Sequence, residues 1–175
     1  MKRTTALWQL VGFAVTSLGG TLLHFLFDLT NGSTWVAPFS GVNESTFEHM
    51  KLLFWPMLLF ALVQSLFFKG YASFFWVKLR GILLGLVLIP VLFYTYNGAI
   101  GPSPDWLNIA IFFVSAAIAY TAEARWLTND DGRGASPIVP LALLGTLAVL
   151  FTVFTFAPPS LGLFRDPLTG TFGLG

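Results

Sequence analysis

Residues 46–68 read TFEHMKLLFWPMLLFALVQSLFF, and this stretch decides the fold. After Lys51 the segment continues to Phe68 without a charged side chain, and about 20 mostly apolar residues suffice for a helix that crosses a membrane. The start of the same helix is different, because Glu48, His49 and Lys51 place ionisable groups there. Such groups are costly at a membrane helix and tend to mark sites that bind or move something.

The composition of the whole chain indicates a membrane protein. Of its 175 residues, 55% are hydrophobic and 10% are charged. Soluble domains carry about 25% charged residues, so too few polar side chains remain here to cover a surface in water. The net charge of +1 gives no electrostatic reason to expect a nucleic-acid partner. The absence of cysteine excludes disulfides, thiolate metal sites and a cysteine nucleophile.

Five segments are long and apolar enough to cross a membrane. They predict an all-α polytopic bundle that forms a single transmembrane domain over residues 1–175. The predicted helices cover residues 6–28, 46–68, 76–97, 105–125 and 138–157. Residues 158–175 are predicted to form a tail outside the membrane, and the sequence leaves open whether that tail is ordered or frayed.

Two local motifs add detail to this prediction. Ser45 and Glu48 have the spacing of a capping box, which predicts that the second helix begins there. Gly81 and Gly85 are small residues four positions apart, and this spacing predicts the close approach of another helix.

The positively charged residues predict the orientation of the bundle. If the N-terminus is cytoplasmic, seven lysines and arginines lie on the inner side and two on the outer side. The inner residues are Lys2, Arg3, Lys69, Lys78, Arg80, Arg125 and Arg133, and the outer residues are Lys51 and Arg165. This asymmetry predicts a multi-pass protein of the cell membrane with its N-terminus inside and its C-terminus outside.

In that orientation the outer end holds both histidines and most of the acids. The candidate residues for a ligand or ion pocket are His24, Asp28, Asn43, Glu44, Glu48, His49 and Asp166. His24 and Asp28 are four residues apart and share a helix face. Because the first two helices are joined by a loop of about 17 residues, we expect them to be antiparallel neighbours and this face to confront Glu48 and His49.

The outer residues allow three interpretations. In the first, a divalent metal such as zinc is bound by nitrogen and oxygen ligands from His24, Asp28, Glu48 and His49, although no compact metal motif is present. In the second, a histidine beside carboxylates passes on protons or ions. In the third, these residues are ordinary helix caps and ion pairs. The sequence does not choose among the three.

The tail contains a second polar motif. Residues 164–170 read FRDPLTG, and an aspartate before proline with a glycine three positions further on favours a tight turn. Such a turn would fold back over the outer end of the bundle and offer Arg165 or Asp166 to the other polar residues.

Three runs of sequence resemble a known family. They are LHFLFD at 23–28, VNESTFEHMKL at 42–52 and PPSLGLFRDPLTGTFG at 158–173. Together they resemble a family of small multipass prokaryotic membrane proteins catalogued as a domain of unknown function, and the resemblance covers nearly the whole chain. It implies a bacterial or archaeal membrane protein of several helices, and it carries over no catalytic residue.

These observations support hypotheses from three classes of function. The leading one is an outward-facing polar pocket that binds a small ligand or ion, as in a transporter or channel component. The second is an intramembrane enzyme that acts on a lipid or an exported substrate, with Glu48 as general base in a cleft that opens sideways. The third is an accessory or assembly subunit, either as an oligomer or with a partner subunit. The lipid bilayer is the expected partner in all three.

Overall fold

The five predicted membrane helices are all present. The computed structural model describes residues 2–69, 73–129 and 136–174. The helices are α1 (Lys2–Leu29), α2 (Thr46–Ser65), α3 (Phe74–Ala99), α4 (Asp105–Thr128) and α5 (Ile138–Phe156). Each is long and apolar enough to cross a membrane. A short 3-10 helix, Gly162–Phe164, follows in the tail.

The helix bounds differ from the prediction mainly where a helix continues past its apolar run. α1 begins at Lys2 and α4 continues to Thr128, because polar residues at an interface extend a helix as readily as apolar ones. α2 ends earlier than predicted, at Ser65. The next residues form a turn in which the N–H of Phe67 donates to the carbonyl of Gln64. Hydropathy therefore locates the helices better than it locates their ends.

α2 is the central helix of the bundle. In the membrane-spanning part of α2, 67% of the residues are buried, against 17–44% in the other four helices. It packs against α1, α3, α4 and α5, and its buried side chains include Phe54, Met57 and Phe60. The charged residues at the start of α2, Glu48 and Lys51, are therefore buried inside the bundle.

The two small residues of α3 admit neighbouring helices, as their spacing predicts. A Cβ atom at Gly81 would overlap the carboxylate of Glu123 in α4. A Cβ atom at Gly85 would overlap the side chain of Leu53 in α2 and touch Ala119 in α4. This face of α3 therefore requires glycine for steric reasons.

One end of the bundle collects the residues of interest. It contains the end of α1, the start of α2, the end of α3, the start of α4 and the tail. The tail packs on α2 here, with the ring centroids of Phe164 and Phe47 4.5 Å apart. We call this the cleft end. The positive-inside rule predicts that the cleft end faces outward, and this orientation stays a prediction.

Reporter fusions test the orientation. A fluorescent protein inserted after Asn129 is expected to fluoresce in the cytoplasm, and a phosphatase fused after Gly175 is expected to be active outside, because the inner loops carry most of the lysines and arginines. An inactive phosphatase after Gly175, together with a non-fluorescent insertion after Asn129, would place the cleft end inside the cell.

Candidate functional site

The loop between α1 and α2 folds down onto the end of α1. The hydroxyl of Ser40 donates to the carbonyl of Leu23 and accepts from the N–H of Phe27 at 2.8 Å. The N–H of Gly41 donates to the same Leu23 carbonyl at 3.2 Å. These bonds bring the residues that follow Gly41 alongside His24.

α2 holds the other side of the same loop. The ammonium of Lys51 donates to the carbonyl of Ala37 at 2.8 Å, and the indole N–H of Trp55 donates to the carbonyl of Pro38 at 2.8 Å. The loop is thus attached to two helices by hydrogen bonds, which fixes its position relative to the cleft end.

The start of α2 shows half of the predicted capping box. Ser45 is the N-cap, and its hydroxyl accepts from the N–H of Glu48 at 3.4 Å. The carboxylate of Glu48 does not return to Ser45. It accepts from the N–H of Val42 at 3.1 Å and pairs with the ammonium of Lys51 at 2.5 Å. The N–H of Ser45 donates instead to the side-chain oxygen of Asn43 at 2.8 Å.

A single carboxylate bridges the two histidines at the cleft end. One oxygen of Glu44 lies 3.6 Å from Nε2 of His24, and the other lies 3.6 Å from Nε2 of His49. One ligand atom from each residue lies within 4.8 Å of the other two. The side chains are partly exposed, at 30% for His24, 42% for Glu44 and 21% for His49. We call these three residues the His–Glu–His cluster.

A backbone hydrogen bond orients the ring of His49. Its Nδ1 atom lies 3.0 Å from the carbonyl oxygen of Ser45. A carbonyl oxygen only accepts, so Nδ1 carries the proton in this contact. In the neutral ring, the lone pair of Nε2 therefore points toward Glu44.

The His–Glu–His cluster lies at the polar end of a cleft of about 420 Å³, which is within the usual range for ligand pockets. Asp105 and Asn108 add two more polar side chains from α4. The remaining walls are mostly apolar and include Phe25, Leu52, Ile89, Phe93, Ile109 and Phe112. Pro167 and Leu168 of the tail also line the cleft.

The structure groups the predicted metal ligands differently from the sequence. His24 and His49 lie together, but Asp28 is exposed on α1 and Glu48 is buried against Lys51. Glu44 takes their place between the histidines. The reason is that α2 begins only at Thr46, so that Glu44 stays in the loop while Glu48 lies one turn into the helix and faces the interior.

Asn43 and Asp166 have structural roles near the cleft. The amide of Asn43 donates to the carbonyl of Gly173 at 2.8 Å, which ties the tail to the loop. The carboxylate of Asp166 accepts from the N–H of Leu168 at 2.8 Å and from the hydroxyl of Thr169 at 3.0 Å. Asp166 thus shapes the turn that places Leu168 at the cleft, and it does not join the cluster.

A second buried ion pair lies toward the opposite end of the bundle. The ammonium of Lys78 in α3 lies 2.5 Å from a carboxylate oxygen of Glu123 in α4, and it donates to the side-chain oxygen of Gln9 at 3.4 Å. Both charged side chains are fully buried. From the sequence, Lys78 was expected only to be a cation on the inner side. Lys78 lies three and seven residues before Gly81 and Gly85, which places it on the same packed face of α3. This spacing could have predicted that Lys78 is buried.

A family model described as a family of unknown function, DUF6512, matches residues 1–174. The chain belongs to this family. DUF6512 agrees with the resemblance seen in the sequence, whereas prokaryotic origin stays a prediction. The comparisons with curated proteins and with solved structures found no match. DUF6512 supplies no activity, so function has to be argued from the cleft.

Proposed function

We propose that this protein binds an amphipathic membrane molecule, a lipid or a lipid-like compound, in the cleft. The polar head of the ligand would contact the His–Glu–His cluster, and its hydrocarbon chain would lie along the apolar walls. The observation that supports this proposal is the combination of one polar end and mostly apolar walls in a single cleft of about 420 Å³.

The rim of the cleft is suited to entry from the bilayer. Phe25 of α1 is 53% exposed and Ile109 of α4 is 58% exposed, and both line the cleft. In a membrane these apolar side chains face lipid. A hydrocarbon chain that moves from the bilayer into an apolar cleft gains little hydrophobic free energy. The contacts of the head group therefore decide which molecule binds.

The charges at the polar end restrict the head group. Glu44 and Asp105 both line the cleft, and among the described residues no lysine or arginine does. Opposite charges attract across an interface and like charges repel. The protein side chains by themselves therefore favour a cationic or hydrogen-bond-donating head and disfavour a bare phosphate.

The other hypotheses receive less support from the geometry. Glu48 does not line the cleft and is paired with Lys51, which argues against Glu48 as a general base. The lining residues reach only as far as Gly20 on α1 and Ile89 on α3, so the cleft ends inside the bundle. Binding is therefore a better description of this geometry than passage through it.

A tryptophan at Thr21 tests the proposal. Thr21 lines the cleft, and an indole there should occupy space that the ligand needs. A ligand that still entered would overpack the cleft, at a cost of about 1–3 kcal/mol. In native mass spectrometry of detergent-purified protein, Thr21→Trp is expected to weaken the binding of a co-purified lipid about tenfold, as a loss of about 1.4 kcal/mol implies, and so to lower the fraction of protein that carries lipid.

Thr146→Trp is the matched control. Thr146 and Thr21 are both exposed, and each hydroxyl donates to the carbonyl four residues earlier, but Thr146 lies on α5 and does not line the cleft. The control should retain lipid like the unaltered protein. Equal loss in both variants, or no retained lipid in the unaltered protein, would contradict the proposed function.

A further inference from the structure

We propose that the His–Glu–His cluster binds a divalent transition-metal ion, with zinc as the best match. The inference deepens the proposed function and rests on it in one respect, since the head group of the ligand would complete the coordination of the ion. Its ligands are Nε2 of His24, one oxygen of Glu44 and Nε2 of His49.

The distances within the cluster suit a small tetrahedral ion. Zinc takes nitrogen and oxygen ligands at about 2.0–2.1 Å, which places neighbouring ligand atoms about 3.3 Å apart in a tetrahedron. Each histidine Nε2 lies 3.6 Å from a different oxygen of Glu44, and with one oxygen as ligand the three ligand atoms lie within 4.8 Å of one another. The two rings lie beside each other with centroids 5.9 Å apart. Small side-chain rotations therefore bring the three ligands onto one ion.

The surroundings of His49 match those of a metal ligand. Ligating histidines usually donate their second ring N–H to a carbonyl or a carboxylate, which fixes the tautomer. Nδ1 of His49 makes this bond to the carbonyl of Ser45 at 3.0 Å. The loop that carries Glu44 is in turn held by hydrogen bonds to α1 and α2, so two of the three ligands have fixed supports.

The ligand types indicate which ion fits. Two imidazoles and one carboxylate favour zinc or a related transition metal over calcium and magnesium, which prefer oxygen ligands. Three protein ligands also leave a fourth position free, as in catalytic and exchangeable zinc sites. Because the cluster lines the cleft, that position faces the space where the head group would lie.

A bound ion would change the choice of head group. Without metal, the carboxylates of Glu44 and Asp105 repel an anion. A divalent ion adds two positive charges at the cluster, and a phosphate or carboxylate oxygen then becomes a suitable fourth ligand. The competing explanation is a metal-free arrangement in which protonated histidines pair with Glu44, and the test separates the two.

Metal titration tests the inference. Protein purified in detergent and stripped with a chelator is titrated with zinc chloride in competition with a chromophoric chelator, and bound zinc is counted by mass spectrometry. We expect one zinc per chain. His24→Ala, Glu44→Gln and His49→Gln should each weaken zinc binding at least about tenfold, since even supporting residues around a metal contribute that much.

Asp28→Asn is the control, because Asp28 lies four residues from His24 but outside the cluster, and it should bind zinc like the unaltered protein. Glu44→Gln preserves shape and alters a partly exposed loop residue, so it should not affect folding. Cobalt in place of zinc should give the visible absorption of a four-coordinate site.

The outcomes separate this inference from the proposed function. Absence of stoichiometric zinc, or a zinc affinity in the three cluster variants equal to that of the unaltered protein, would overturn the metal site and would support paired histidines. Zinc binding without retained lipid would overturn only the lipid proposal. Lipid retention that is the same with and without chelator, in protein that binds no zinc, would overturn only the metal proposal.

Discussion

Replacing Glu123 with alanine is expected to lower the free energy of unfolding by about 3–5 kcal/mol. The variant leaves the ammonium of Lys78 buried, with Gln9 as its only polar partner among the described residues, and an uncompensated buried charge is strongly destabilising. The measurement is equilibrium unfolding of the purified protein in mixed detergent micelles.

A double variant and a surface variant complete this test. Lys78→Met combined with Glu123→Leu should recover most of the lost stability, since an apolar pair of similar volume replaces a buried ion pair at little cost. Arg80→Met removes an exposed cation on the same helix, stacked on Trp126, and should cost less than about 1 kcal/mol. If Glu123→Ala also cost less than Arg80→Met, the buried pair described here would be wrong.

The second large effect is expected for Lys51→Met, which combines a loss of stability with a loss of binding. The variant leaves the carboxylate of Glu48 buried without its ammonium partner, and we expect a cost of about 3–5 kcal/mol. It also removes the hydrogen bonds from Lys51 to Ala37 and Thr155. Because Ala37 belongs to the loop that carries Glu44, zinc binding and lipid retention should both weaken.

The comparison with Lys78→Met separates the two effects of this variant. Both substitutions break a buried ion pair, but only Lys51 contacts the loop at the cleft end. At a temperature at which both variants are folded, Lys78→Met should bind zinc normally and Lys51→Met should not. Equal binding by the two variants would show that the loop does not need Lys51 to position Glu44.

The helices could be predicted because the membrane imposes a length on apolar segments. Five apolar runs predicted five helices, and Ser45 predicted the start of α2 through its capping side chain. Gly81 and Gly85 predicted a packed face on α3. Each of these signals depends on residues close together in the sequence.

The buried charges could not be predicted in the same way. Lys51 and Lys78 were counted as outer and inner cations, because the positive-inside rule treats every lysine near a helix end alike. Both are buried in the bundle and paired with a carboxylate. The partner of Lys78 is 45 residues away, so the sequence did not show the pair. Glu48 is three residues from Lys51 on the same helix, but the burial of that pair depends on the loop and α5, which contact Lys51 through Ala37 and Thr155.

The composition of the site was predicted in part for a related reason. His24 and His49 were identified because both histidines fall at the same end of the bundle. Asp28 was grouped with His24 because the two are four residues apart on one helix. In the structure, the loop is hydrogen-bonded to Leu23 and Phe27, and this places Glu44 beside His24. Glu44 was among the predicted pocket residues, but its position between the two histidines required the structure, because the path of a loop is not encoded in helical periodicity.

Photo-cross-linking at Ile109 tests the lipid-binding cleft most directly. A benzophenone amino acid is placed at Ile109, which lines the cleft, or at Val149 on α5, which is exposed to the same degree (58% and 61%). After washing in detergent and illumination, the mass of the protein is measured. We predict a lipid adduct at Ile109 that is absent at Val149. No adduct at either position, or equal adducts at both, would contradict a specific lipid site in the cleft.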